Sequence, residues 1–241
     1  VHLVGRDDTE HAVLVMKRIA GTNLREMLHD PNSPRWEDVQ GDRQTWALGV
    51  FVQVCQAIEH AHSRSILHRD IKSDNIMIGD FGQVFLIDWG ISIILDEPEQ
   101  CTTHRFVGTP CFAAPEMAIL GARVDPRTDQ YLLGGMLFEI LTLQVPHNGS
   151  TIPRILDKVR SGAQPRLPPT VPDGLSSIIN RAMAPEADDR YPSVAALRMA
   201  IQRYLSDHII IDQIATAKAA LQNMKAALEN NKTDAVRSEE R

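Results

Sequence analysis

Apolar residues recur along the chain in different rhythms, and each rhythm predicts a different element. Val1 to Val4 and Ala12 to Ile19, rich in Val, Leu and Ile, flank the polar stretch Gly5 to Glu10 and predict a hairpin. From Gln44 to Ser63, the positions Leu48, Phe51, Val52, Cys55, Ile58, Glu59 and His62 keep helical spacing and predict a long helix with one buried stripe. Ile76 to Ile78 and Val84 to Ile87 lie on either side of Gly79-Asp80-Phe81-Gly82, a second, smaller hairpin. Asp129 to Leu143 is apolar on nearly every face, which predicts a helix buried all round, ended by Pro146. Shorter helices are predicted over Asn23 to Leu28, Ile152 to Arg160, Leu175 to Ala184 and Ser193 to Ser206, with a proline-rich loop from Ser161 to Gly174. Beyond them Ile210, Ile214, Ala217, Leu221, Met224 and Leu228 recur at intervals of four and three, a heptad-like stripe. Few strands and many helices make the fold class α+β, mainly α.

Composition narrows the choice. With 25 Lys and Arg against 31 Asp and Glu, the net charge is −6, which excludes a surface built for nucleic acid. Hydrophobic residues at 43% are globular rather than disordered usage. No apolar run approaches the roughly 20 residues of a membrane helix, and no signal peptide opens the chain, so a soluble protein without a membrane segment is expected. The cysteines, Cys55, Cys101 and Cys111, have neither metal-ligand nor disulfide-framework spacing, which fits the reducing cytoplasm. A length of 241 residues suggests one domain with an appendage, and a first residue of Val1 suggests a piece of a longer chain.

Chemistry concentrates in His68-Arg69-Asp70-Ile71-Lys72-Ser73-Asp74-Asn75, between the long helix and the small hairpin. This run resembles the catalytic loop of protein kinases. The resemblance implies that Asp70 orients an attacking hydroxyl and accepts its proton, that Lys72 stabilises the transferring phosphoryl group, and that Asn75 holds magnesium on the phosphates of ATP. The family's metal-binding Asp-Phe-Gly has two candidates. Asp80-Phe81-Gly82 lies five residues after Asn75, inside the hairpin turn, whereas Asp88-Trp89-Gly90 ends the strand Val84 to Ile87. Asp88 is therefore expected to be the second magnesium ligand, with the larger Trp89 ring packed beneath the site.

Gly108-Thr109-Pro110-Cys111-Phe112-Ala113-Ala114-Pro115-Glu116 resembles the end of a kinase activation segment. Thr109 stands where the family bridges the catalytic Asp and Lys, Glu116 where it pairs with an Arg, here Arg190, and Asp129 where it ties the catalytic loop to the buried helix, with a helix N-cap as the plainer alternative. From Val1 to Leu205 these motifs resemble the hinge and C-terminal lobe of the eukaryotic-like serine/threonine protein kinases of bacteria. The resemblance implies a kinase-like large lobe with a remnant small-lobe hairpin and a C-terminal helical extension. Residues 1–21 would be the end of the small lobe and the hinge, 22–205 the large lobe, and 206–241 a helical tail. It further implies an adenine site made by Met16 as gatekeeper, by backbone groups of Lys17 and Ile19, by Asn23 near the ribose and by Met77 as floor; Met77 fits an ordinary core strand equally well. ATP and Mg2+, or Mn2+, are the implied cofactors, and a protein carrying Ser or Thr the implied substrate.

The family's Gly-rich loop, strand Lys and helix Glu are not among these residues, since only Gly5 and Gly21 fall in the first 40. A fragment of an active, non-specific serine/threonine kinase is expected, with little turnover by these residues alone. The alternative is an inactive kinase-like scaffold or binding module. A small-molecule phosphotransferase is disfavoured by Lys72 and by Ala114-Pro115-Glu116. Arg69 implies control by a phosphate on the activation loop, with Thr103 favoured over Thr102 and an ordinary exposed loop threonine as the alternative. Cys101 and Cys111, flanking this loop, raise a redox role against the usual inertness of free thiols. The terminal stripe fits either a homodimer or a helix docked on the lobe.

Overall fold

The computed structural model describes residues 3–6, 12–15, 18–96 and 101–208, together with positions 210, 218, 221 and 222. Its first elements are the predicted hairpin, β1 (Leu3–Arg6) antiparallel to β2 (Ala12–Val15), with Leu3 opposite Val15. Next, β3 (Gly21–Asn23) pairs with β5 (Ile76–Gly79), which pairs in turn with β6 (Val84–Leu86), so the small hairpin forms with a third strand on its edge. Gly21 permits that third strand: a Cβ there would lie 2.2 Å from the Ile78 carbonyl oxygen. Helix α1 (Leu24–His29) follows, one residue later than predicted, because Asn23 is its N-cap and accepts from the amides of Arg25 and Glu26.

Helix α2 (Arg43–His62) buries Leu48, Phe51, Val54, Cys55 and Ile58 against α4 (Pro126–Thr142). Helix α4 begins three residues earlier than the apolar pattern suggests. Asp125, with Pro126 after it and a reciprocal bond to Thr128, forms a capping box, so the N-cap alternative for Asp129 is wrong. Every residue of α4 from Thr128 to Ile140 is buried, and the helix ends at Leu143 in the left-handed conformation before Pro146 is reached. The remaining helices pack around this pillar: the single turn α3 (Pro115–Ala118), α5 (Ile152–Arg160), α6 (Asp173–Ala182) and α7 (194–208). Two-residue strands β4 (Ile66–Leu67) and β7 (Ile93–Ile94) close the loop region. A core of fully buried Leu, Ile, Phe and Met runs from α2 through α4 to α6 and α7, each such side chain contributing about 1.5–3 kcal/mol. Arg198 of α7 pairs with Glu59 of α2 through two hydrogen bonds, 2.6 and 3.1 Å.

The tail stripe lies almost wholly outside the described residues; of it, Ile210 and Leu221 are helical and exposed. Among the described residues no helix is long and apolar enough to cross a membrane.

A buried histidine gives the fold a pH dependence. The His147 amide donates to the Cys111 carbonyl, and its ring meets the Tyr131 hydroxyl at 2.9 Å, Nε2 to O. Burial, with Lys158 adding to it, pushes the imidazole down to about 4. A depressed histidine contributes its stability above its unfolded value of about 6.5, and that stability is lost as the pH falls from there toward 4. Urea unfolding is therefore expected to show a loss between pH 7 and pH 4.5 that His147→Gln reduces; equal losses in both proteins would rule out His147 as a cause.

Candidate active site

The start of the 68–75 loop is fixed from below by one carboxylate. Asp129, buried in α4, accepts the amide of His68 at 3.0 Å on one oxygen and that of Arg69 at 2.9 Å on the other, and meets His62 Nε2 at 2.7 Å. Those bonds support an uncommon backbone: Arg69 has φ +67°, a left-handed conformation of the kind that costs about 1–3 kcal/mol unless its surroundings impose it. His68 Nδ1 lies 3.2 Å from the Asp70 amide and accepts its proton, so Nε2 carries the ring hydrogen, 3.3 Å from the Ile87 carbonyl. Burial lowers the His68 imidazole against the attraction of Asp129, in keeping with this neutral tautomer.

Asp70 emerges from this turn into a cluster of donors. Thr109 Oγ1 donates to Oδ1 at 2.6 Å, Lys72 Nζ to Oδ2 at 2.9 Å and Asn75 Nδ2 to Oδ2 at 3.0 Å, while Lys72 also reaches Thr109 Oγ1 at 2.5 Å. Burial by itself raises the Asp70 carboxyl; the hydrogen bonds of Thr109 and Lys72, the Lys72 charge and the Asn75 amide outweigh it and hold the group below the ordinary carboxylate range. Thr109 can approach because Gly108, at φ +119°, lies against the Arg69 carbonyl, which a Cβ would meet at 3.1 Å.

Asp88 follows β6 directly. The ladder extends past that strand through Ile87 N to Asn75 O, 2.9 Å, which sets the residue before Asp88 against Asn75. Its backbone is also left-handed, φ +60°, and its exposed carboxylate receives only the Gly90 amide, 3.3 Å, among the described residues. The Asn75 amide nitrogen is taken by Asp70, and its Oδ1 accepts no hydrogen bond among the described residues. These oxygens are hard donors, and no cluster of three or more His, Cys, Asp or Glu among the described residues could cage an ion unaided. Such a pair suits Mg2+, which takes one or two protein oxygens and completes its shell with water and phosphate.

The competing Asp80 pairs with Arg35 at the hairpin tip, and Phe81 is 90% exposed. Trp89 is not packed beneath the site as expected: it is 38% exposed, its ring set edgewise on His68 at 4.5 Å and its Nε1 bonded to the Leu86 carbonyl. Asn23 divides its amide between capping α1 and donating to the Asp74 carbonyl, Met77 sits opposite it in the β3–β5 ladder, and Ile19 is half-buried. Met16 and Lys17 lie outside the described residues.

The expected ion pair is formed: the Arg190 guanidinium, fully buried, holds both Glu116 oxygens at 2.7 and 2.9 Å and also bonds the carbonyls of Ala184, Pro185 and Arg127. Thr103 is not the exposed loop threonine of the plainer alternative. It is 8% exposed, with its hydroxyl on the Glu116 carbonyl, whereas Thr102 is half-buried; both line a cavity of about 250 Å³ with Arg69 and Arg105. Arg69 itself is held on the Ile91 carbonyl. Cys101 is buried away from oxidants, and burial raises the Cys111 thiol, which works against its being a redox sensor. The motifs do not point to Ser73, Arg25 and Glu139, which meet behind the loop; the available signal is one Glu between Phe138 and Ile140 in an apolar helix.

The protein kinase domain model matches residues 4–200, so the chain belongs to the protein kinase domain family. Relatives carry the same designation. The chain is 34% identical over 230 residues to serine/threonine-protein kinase PknD of Chlamydia trachomatis serovar D, covering 82% of this chain and 24% of that protein. It is 31% identical over 227 residues to PknD of Protochlamydia amoebophila, covering 83% and 23%. It is 36% identical over 189 residues to serine/threonine-protein kinase Pkn1 of Myxococcus xanthus, covering 75% and 27%. The chain thus spans about a quarter of the length of these relatives. The family in general uses ATP, a divalent metal and a protein substrate.

If Thr109 holds the Asp70 charge as the geometry indicates, Thr109→Val raises the Asp70 carboxyl toward the ordinary range. Carbon-13 NMR titration of that carboxyl checks this, and an unmoved titration would show that Lys72 and Asn75 suffice.

Proposed function

We propose that this chain provides the hinge and large lobe of a protein serine/threonine kinase that transfers the γ-phosphoryl group of ATP to Ser or Thr hydroxyls. The supporting observation is the Asp70 carboxylate, held ionised by Lys72 and Thr109 while its loop is locked on Asp129. Residues 1–21 act as the end of the small lobe and the hinge, with Met16, Lys17, Ile19, Asn23 and Met77 around the adenosine. Residues 22–205 are the large lobe, and 206–241 a helical tail.

Asp70 accepts a hydrogen bond from the acceptor hydroxyl, aims its oxygen at the γ-phosphorus and takes its proton as the new P–O bond forms. Lys72, already beside Asp70, places its charge next to the transferring group, and Thr109 keeps both side chains in register. Asn75 Oδ1 and the Asp88 carboxylate would hold Mg2+, for which Mn2+ could substitute. The metal, when bound, neutralises the phosphate oxygens and the charge left on ADP. The bond broken is that between the γ-phosphorus and its bridging oxygen, so ADP leaves with the electron pair. Three free cysteines fit work in the cytoplasm.

Asp70→Asn in the full-length protein tests the assignment. It removes the proton acceptor and keeps the shape, and is expected to lower phosphorylation of a generic basic protein by about 10²-fold or more. Phosphorylation at the parent rate would reject the reading. The tail is proposed to pair two copies, since Ile210 and Leu221 are exposed in helical conformation. Light scattering on a chain ended at Ser206 should then give half the mass; a monomer with or without the tail would reject pairing.

A further inference from the structure

Behind the 68–75 loop lies a second buried carboxylate that the phosphoryl-transfer scheme does not use. Glu139 is fully buried in α4. Its Oε2 accepts the hydroxyl of Ser73, itself fully buried, and its Oε1 accepts Arg25 Nη1 at 2.7 Å. The same Arg25 nitrogen reaches Asp74 Oδ2 at 3.3 Å, and the Asn23 amide donates to the Asp74 carbonyl. His29 Nε2 stands 3.8 Å from Oε1. Thus α4 and α1 hold two successive residues of the Ser73–Asn75 turn, and the third is the metal-site candidate Asn75, whose own amide bonds the Lys72 carbonyl.

Stability alone gives no reason for a carboxylate here. Its neighbours Phe138 and Ile140 are buried, and a well-packed apolar residue in place of a buried ion pair is often neutral or stabilising. What a carboxylate offers that Leu or Met does not is two acceptor oxygens, one for Ser73 and one for Arg25. Helix geometry adds a second argument. Asp129 and Glu139 are ten residues apart on one helix, roughly 15 Å at 1.5 Å per residue, and the loop runs between the groups they bind. Asp129 fixes the end of the loop that presents Asp70; Glu139 fixes the end that presents Asn75.

We propose that Glu139 is a positioning residue for the metal-binding end of the loop, acting through Ser73 and braced by Arg25. This rests on the kinase reading of Asn75. Partners that orient a metal ligand without touching the ion typically change metal affinity by about 10- to 100-fold when removed. In the full-length protein, Glu139→Gln should therefore raise the Mg2+ concentration that half-saturates binding of a fluorescent ATP analogue by about tenfold. Ser73→Ala, which cuts the link to the loop and leaves the Glu139–Arg25 pair in place, should give a shift of similar size with a melting temperature lowered only as far as one orphaned buried acceptor requires. Binding of the analogue in EDTA should be nearly unchanged in both, because the proposed role acts through the metal site. An unshifted Mg2+ titration in Ser73→Ala overturns the proposal, whether or not Glu139→Gln folds. A shift matched by an equal loss of EDTA binding also overturns it, because it marks general damage to the nucleotide site. Asp70→Asn separates the two readings by phosphorylation alone: if it stays active the kinase reading fails, while the Mg2+ titrations of Ser73→Ala and Glu139→Gln still judge Glu139.

Discussion

A buried carboxylate that must find donors organises the whole large lobe. Asp129 lies in the middle of an apolar core, where an unpaired charge is prohibitively expensive, so three donors converge on it. Two of them are consecutive backbone amides, and satisfying both at once forces the chain to turn at Arg69. The next residue is Asp70. The direction of the Asp70 side chain is thus a consequence of burying a charge in α4, and the apolar surface of α2, α6 and α7 packed around that helix is what keeps Asp129 dry. Packing energy, on the order of a few kcal/mol per large side chain, is converted through this one group into geometry at the loop.

The same logic recurs along the pillar. Arg190 is buried because Glu116 and three carbonyls surround it, and it fixes the end of the segment that carries Thr109. Glu139 is buried because Ser73 and Arg25 meet it. Each polar group in the core is satisfied by a piece of backbone or loop that must be immobile. Among the described residues Gln130 is the exception: neither end of its buried amide has a partner there, and no packing reason for it is evident.

The amphipathic and all-apolar patterns placed α2 and α5 almost to the residue and α4 to within three, because burial dominates their sequence. Element starts were less legible where capping rather than hydrophobicity decides: Asp125 and Asn23 set the beginnings of α4 and α1, and neither belongs to an apolar stripe. Among the site residues, Asp70, Lys72, Thr109 and Asn75 were legible as a spaced motif and are brought together in space. Asp88 was preferred to the literal Asp80-Phe81-Gly82 by topology, and Asp80 does lie in the hairpin turn while Asp88 lies just past β6. Thr103, favoured over Thr102 as the loop's phosphate-bearing residue, is buried, and its loop position gave no sign of this because backbone bonds to Ala122 and Gly121 draw it inward. Glu139 was illegible because periodicity counts what is apolar and passes over a single polar residue in a buried run.

Left-handed backbone at Arg69 and again at Asp88 closes the argument about cause. Neither residue is glycine, so each conformation costs about 1–3 kcal/mol, and local sequence offers no reason for it. At Arg69 the offset is visible in the two bonds to Asp129 and in the Gly108 backbone wedged against the carbonyl. At Asp88 it is the β5–β6 ladder, continued through Ile87 to Asn75, followed by the return bond from Gly90. Strain at two points, each opposed by contacts from a different part of the fold, means that neither carboxylate can relax without breaking a ladder or exposing a buried charge. The fold therefore holds Asp70 and Asp88 in place before any ligand arrives, so that binding energy need not be used to assemble them.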